Sequence, residues 1–198
     1  DYNSQRVFCF LDHNPELLPV TNTITVWDCC AASGGKSILL YDTLKGKIKL
    51  TVSDIRESIL SNLVKRMQEA GININRKFVC DLTTTKPPTA DERYSVIVCD
   101  VPCSGSGTWS RTPEQLSICK SEEIAIYSDR QKKIASTAIQ YLHKNGLFFY
   151  ITCSVFSSEN EEVVHYLKEK FHLQLLQMEY LKGYELKADT MFVAVFTV

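Results

Sequence analysis

Residues 23–37 run Thr23-Ile24-Thr25-Val26-Trp27-Asp28-Cys29-Cys30-Ala31-Ala32-Ser33-Gly34-Gly35-Lys36-Ser37. A β-branched and aromatic stretch, Thr23 to Trp27, predicts a strand, and the small residues after it predict a tight turn into a helix. Small residues let a ligand come close to the backbone, and a helix N-terminus presents free amide hydrogens to an anionic group. A strand, a small-residue loop and a helix in that order form the opening unit of a parallel sheet that binds ligands at its strand ends.

The same alternation continues along the chain. Strands are expected at Lys49 to Ser53, Lys77 to Cys80, Val96 to Cys99, Leu147 to Thr152, Leu173 to Met178 and Met191 to Phe196. Longer segments of helical period lie between most of them. Arg56 to Ala70 predicts a helix stopped by Gly71, with Ile59, Leu63, Met67 and Ala70 turned to the sheet. Glu122 to His143 predicts another, ending before Asn145-Gly146. The stretch Glu179 to Asp189 is too short for a right-handed crossover, so an antiparallel last strand is expected. Thr83 to Arg93, with Pro87-Pro88, predicts a loop. The expected fold is α/β, a mostly parallel seven-stranded sheet with helices on both faces.

The 198 residues fit one domain, and a formal net charge of -1 offers no bulk attraction for nucleic acid. Eight cysteines without a CxxC pair fit neither a disulfide framework nor a zinc site, and no metal is expected. Reduced thiols, no apolar run of membrane-spanning length and no signal-peptide pattern predict a cytoplasmic protein. The chain starts at Asp1 without an initiator methionine, so a longer protein is expected.

Gly35-Lys36-Ser37 suggests a phosphate-binding P-loop, but that motif needs glycine where Cys30 stands, and the dinucleotide pattern GxGxxG is also absent. A plainer alternative is that the glycines only pack helix on strand. Against it, acidic residues follow three successive strands: Asp54, Asp81 and Asp100. In an open parallel sheet these ends share one crevice, where Asp54 suits ribose hydroxyls and Asp81 an adenine amino group.

Two cysteines stand at strand ends in turn-rich contexts: Cys103 in Asp100-Val101-Pro102-Cys103-Ser104-Gly105-Ser106-Gly107, and Cys153 in Thr152-Cys153-Ser154-Val155-Phe156-Ser157-Ser158-Glu159-Asn160-Glu161. A thiol pair suits methylation of cytosine at carbon 5. That carbon becomes nucleophilic only after a thiolate adds to carbon 6, and the thiolate must later leave. Chemistry alone leaves the two thiols interchangeable. Asp100 is placed to hydrogen-bond the ring edge as a general acid. Cys9, Cys80, Cys99 and Cys119 read as small apolar filler. Arg111, Arg130, Lys132 and Lys133 are candidates for phosphate contacts. Glu159-Asn160-Glu161-Glu162 reads as the acidic first turn of a helix.

These motifs resemble the catalytic domain of the RNA cytosine-5 methyltransferases of the NOL1/NOP2/Sun family, above all the bacterial Sun or Fmu type that modifies 16S ribosomal RNA. The resemblance runs from Asn3-Ser4-Gln5 to Asp189-Thr190-Met191-Phe192, and the family loop CAAPGGKT stands here as Cys30 to Ser37, CAASGGKS, with serine replacing proline at Ser33. It implies a Rossmann-like class I methyltransferase fold and S-adenosylmethionine as cofactor. Cys30, Ala31, Ala32, Ser33, Gly34, Gly35 and Lys36 would cradle it, with Asp54 at the ribose, Asp81 at the adenine and Asp100 near the methyl group. It also implies Cys153 as the nucleophile, Cys103 as the thiol that assists release, and the acidic run beside Cys153 as an ordering element. The implied partner is RNA, expected to be ribosomal, bound by a monomer whose N-terminal RNA-binding region lies outside these residues. A transfer-RNA substrate and a catalytically idle ribosome-assembly scaffold are the alternatives.

Overall fold

The chain forms α1 (Cys9–His13), β1 (Ile24–Asp28), α2 (Gly35–Thr43), β2 (Ile48–Asp54), α3 (Glu57–Glu69), β3 (Ile74–Val79) and β4 (Tyr94–Asp100). It continues through α4 (Glu114–Ile118), α5 (Ser121–Ile139), β5 (Leu142–Thr152), α6 (Glu161–Phe171), β6 (Gln174–Leu181) and β7 (Met191–Thr197). The structure is a computed structural model that describes every residue except 20, 22 and 89–91, so part of the expected 83–93 loop lies outside the described residues. Among the described residues, no helix is long and apolar enough to cross a membrane.

One seven-stranded sheet has the order β3-β2-β1-β4-β5-β7-β6, in which β7 runs antiparallel to both of its neighbours. The expected mostly parallel sheet with an antiparallel last strand is the fold observed. Strand period explains the two cores. Val26, Val96, Val98, Phe149 and Val195 enter one core with Leu40, Leu63 and Met67. Trp27, Ile97, Cys99, Phe148 and Phe196 enter the other with Ile134, Ala138 and Leu167. Successive side chains point to opposite faces, so these strands are apolar throughout because helices cover both faces.

Two sequence expectations need correction. In α3 the inward face is Leu60, Leu63 and Met67, while Ile59 is half-buried and Ala70 is exposed at the helix cap. Helix α5 ends at Ile139, not His143, because Tyr141 and Leu142 are drawn into the sheet: the Tyr94 amide donates to Tyr141 O at 2.8 Å, and Leu142 pairs with Tyr94. Asn145, at φ 62, then adapts the start of β5 where its register with β4 shifts. Helical period ended too late here because pairing with β4 overrides local propensity.

Strand order reverses between β1 and β4, the point at which crossovers leave in opposite directions and open a crevice at the strand ends. The loops after both strands border that crevice. Antiparallel return of β7 sets Phe192 beside Thr152, which carries the loop before β7 to the end of β5.

Candidate active site

A cavity of about 590 Å³ occupies the crevice, and Cys30, Ala32, Asp54, Asp81, Asp100, Cys103 and Cys153 all border it. Its size suits a small-molecule ligand. Ile55, Leu82 and Ile134 give it apolar walls, and Arg130 stands at its border.

Of the loop residues expected to cradle a ligand, Cys30 and Ala32 reach the cavity, whereas Ala31, Ser33, Gly34, Gly35 and Lys36 are not part of its wall. Ala31 is buried and its amide donates to Ser53 O at 2.9 Å, holding the loop to β2. Gly34 has φ +84, and a Cβ there would lie 2.9 Å from Met67 Cε and 3.0 Å from Leu63 Cγ. At this position glycine leaves room for Leu63 and Met67 of α3, a contact with a helix where the plainer sequence alternative had helix packing on strand. Ser33 is held by Arg66, whose Nη1 donates to Ser33 O at 2.7 Å and to Ser33 Oγ at 2.9 Å. Arg66 carries no sequence signal and was not anticipated.

Lys36 acts at the site through another residue, donating from Nζ to Asp100 Oδ2 at 2.5 Å. Burial works against its charge, but the Asp100 carboxylate prevails and raises the lysine above its ordinary value. Asp54 Oδ2 accepts from the Ala32 amide at 3.0 Å, and Oδ1 from Arg56 N and Nε, both at 2.9 Å. Burial would raise this carboxyl, yet the Arg56 and Ala32 donors hold it below the ordinary range. Asp81 Oδ1 accepts from Thr83 N at 2.9 Å and Oγ1 at 2.6 Å, which lowers it likewise.

Cys103 Sγ and Cys153 Sγ lie 3.3 Å apart, within reach of one shared proton. The contact breaks the equivalence that sequence chemistry left open. Cys153 is lowered from the ordinary thiol value, first by its hydrogen bond with Cys103 and further by the Lys36 charge. Cys103 is pushed up, by that same bond and by burial. The asymmetry favours Cys153 over Cys103 as the sulfur that gives up its proton. Among the thiols read as filler, Cys99 is buried, Cys80 is buried but also borders the cavity, and Cys9 and Cys119 are only half-buried.

Behind the thiols, three loops meet. Gly107 N donates to Cys153 O at 2.8 Å, and Thr190 N donates to Gly107 O at 2.9 Å. Arg111, read as a phosphate contact, instead donates Nε and Nη2 to Asp189 at 2.7 and 2.6 Å. Asp189 is almost fully buried and needs that partner. Lys132 rests over Tyr166 at 5.8 Å and Lys133 is exposed on α5, so Arg130 is the member of the basic set at the cavity.

Comparison with known proteins shows which family and fold the chain shares. The chain is 30% identical over 166 residues to the human "tRNA (cytosine(72)-C(5))-methyltransferase NSUN6", covering 77% of this chain and 34% of that protein. It is 28% identical over 149 residues to "Ribosomal RNA small subunit methyltransferase B" of Yersinia enterocolitica, covering 75% of this chain and 34% of that protein. The chain thus spans about a third of the length of these relatives. Its fold matches the crystal structure of NSun6 from Pyrococcus horikoshii with SFG, at a TM-score of 0.79 and 19% identity over 92% of this chain and 50% of that one. Residues 15–196 match the family described as "16S rRNA methyltransferase RsmB/F", and the chain belongs to that family.

Proposed function

We propose that this chain transfers a methyl group from S-adenosylmethionine to carbon 5 of a cytosine in RNA, through a covalent bond between Cys153 and carbon 6 of the base. The single observation that carries the reading is the 3.3 Å thiol pair at the rim of the cavity. The cavity suits the cofactor: its carboxylates Asp54, Asp81 and Asp100 match a cationic ligand with ribose hydroxyls, and Ile55, 56% exposed, offers an apolar face to a base. When bound, S-adenosylmethionine supplies an electrophilic methyl group.

The protein's own groups do the rest. Cys153, its thiol lowered by the hydrogen bond with Cys103, adds as the thiolate to carbon 6 and makes carbon 5 nucleophilic. Asp100, fixed by Lys36, hydrogen-bonds the ring edge as charge moves onto it. After carbon 5 has taken the methyl group, its proton passes to solvent water in the crevice, the electron pair of that bond returns to the ring, and the bond to Cys153 breaks to release the sulfur as thiolate. Cys103 is within reach of that sulfur and assists the release. Residues 1–198 form the catalytic domain in this reading, a monomer whose choice of RNA depends on a region outside them.

Ribosomal RNA is the expected substrate, in line with the family description. A transfer RNA is the second reading, favoured by the 30% identity to a human transfer-RNA enzyme. Bisulfite sequencing of both RNA classes, from cells with and without the gene, separates them. A protected cytosine lost on deletion and restored by wild type but not by Cys153→Ala supports the proposal and names the substrate. Unchanged methylation in every RNA overturns it and leaves the scaffold reading.

A further inference from the structure

Neither cysteine loop holds its own shape by regular secondary structure, yet the residues on both sides of each thiol end on the same three buried side chains. Gln131, Glu159 and Asn160 are each 0% exposed and none borders the cavity. Around Cys103, Pro102 O accepts from Gln131 Nε2 at 3.0 Å, and Ser104 donates to Glu159 twice, from N at 2.8 Å and from Oγ at 2.5 Å. Around Cys153, Thr152 Oγ1 donates to Asn160 Oδ1 at 2.6 Å, Ser154 O accepts from Asn160 Nδ2 at 2.8 Å, and Ser154 Oγ donates to Glu159 Oε2 at 2.5 Å.

Glu159 is the residue common to both loops. Its Oε2 accepts the hydroxyl hydrogens of Ser104 and Ser154, the residues directly after the two cysteines, while Oε1 accepts from Ser104 N and from Gln131 Nε2 at 2.9 Å. All four partners donate, a set that only an acceptor-only carboxylate can satisfy. The side chain cannot move to follow one loop without leaving the other. Its backbone is fixed too, because Tyr150 Oη donates to Glu159 O at 2.6 Å from near the C-terminal end of β5.

We propose that Glu159 is a positioning residue that sets the spacing of the two thiols, coupling the loop of Cys153 to the loop of Cys103 through one carboxylate. Its importance for turnover rests on the function proposed above, but the spacing does not. Other ties between the loops remain without Glu159, including Val155 N donating to Ser106 Oγ at 2.9 Å and the edge contact of Trp109 with Phe156 at 5.9 Å. The loops therefore persist in a variant, with the sulfurs farther apart.

Glu159→Gln tests this, because an amide nitrogen cannot accept and at least one serine hydroxyl loses its partner. Ser104→Ala/Ser154→Ala leaves Glu159 in place and serves as the second variant if the first does not fold. The purified protein needs no RNA for the measurement. Iodoacetamide labelling of Cys153 is followed against pH by peptide mass spectrometry, and oxidation of Cys103 with Cys153 by diamide is timed; diamide takes up the two thiol hydrogens and two electrons as the disulfide forms.

Loss of the sulfur contact is expected to slow Cys153 labelling at neutral pH by about tenfold, moving its profile to higher pH, and to slow disulfide formation by a similar factor. A general weakening of the fold would instead speed both reactions by exposing the thiols. A wild-type labelling profile and wild-type oxidation rate in both folded variants, or faster reactions in them, overturn the proposal. Loss of the function reading, through methyl transfer that survives Cys153→Ala, leaves this measurement intact and is thereby distinguished from it.

Discussion

The Sγ atoms of Cys103 and Cys153 sit 3.3 Å apart although 50 positions separate them in the chain. Adjacent carboxyl ends of β4 and β5 bring them together, and the shared hydrogen bond lowers Cys153 while raising Cys103. Unequal thiols imply unequal variants. Cys153→Ala is expected to reduce methyl transfer by about a thousandfold or more, and Cys103→Ala to accumulate a covalent protein–RNA adduct. Denaturing gels of single-turnover mixtures distinguish the two. With Cys103 gone, the Cys153 value rises toward the ordinary 9.0, so the rate of adduct formation should reach its plateau at higher pH than in wild type.

Lys36 and Asp100 form a partly buried ion pair, with side chains 16% and 28% exposed. Replacing Asp100 by Asn leaves the lysine charge without its counterion. The expected loss of stability lies at the low end of about 3–5 kcal/mol, because both groups keep some solvent. Methyl transfer should fall about a hundredfold or more, since the carboxylate that borders the cavity is lost with it. Denaturant unfolding and single-turnover rates check the two parts separately.

Asp28 is fully buried, accepts from Ser37 Oγ at 2.6 Å through Oδ2, and leaves Oδ1 without a partner. Burial raises its carboxyl from 3.8 to about 7. The folded protein therefore holds a proton there that the unfolded chain releases, and stability falls as pH rises from 3.8 to about 7. The size of the effect is on the order of 4 kcal/mol. Asp28→Asn should flatten that part of the profile in urea titrations at several pH values; an equal slope in the variant refutes the assignment.

Arg66 holds Ser33, and with it the loop before α2, through two hydrogen bonds. Removal of this exposed clamp with Arg66→Ala should raise the KM for S-adenosylmethionine about three- to tenfold with little change in kcat. Each lost bond is worth about 0.5–1.5 kcal/mol. A fall in kcat alone would contradict it.

Gly107 has no room for a methyl group: a Cβ there would lie 2.1 Å from Thr190 O and 2.9 Å from Cys153 O. Both neighbours are backbone and cannot swing away. Gly107→Ala should cost about 2–3 kcal/mol and displace Cys153, measurable as a lower melting temperature together with a lost burst of adduct formation. The neighbouring Arg111→Ala is expected to act through Asp189, slowing Cys153 alkylation, because the Asp189 charge then disfavours the thiolate unopposed.

Much of this protein was legible in its sequence because local rules suffice for it. Strand positions follow from β-branched and aromatic runs buried on both faces, the reversed last strand from a connection too short to cross over, and the candidate chemistry from residues placed directly after strands. Tertiary structure decided what depends on contacts between distant segments. Sheet pairing of Leu142 with Tyr94 ended α5 early, Asp189 paired with Arg111, and Arg66 reached across to hold Ser33. The opposite shifts of the two thiols have no sequence signal either, and the acidic run beside Cys153 gave no sign that Glu159 also reaches the loop of Cys103. Each depends on ångström-scale distances across residues far apart in the chain, where burial and hydrogen bonding, rather than residue type, set the outcome.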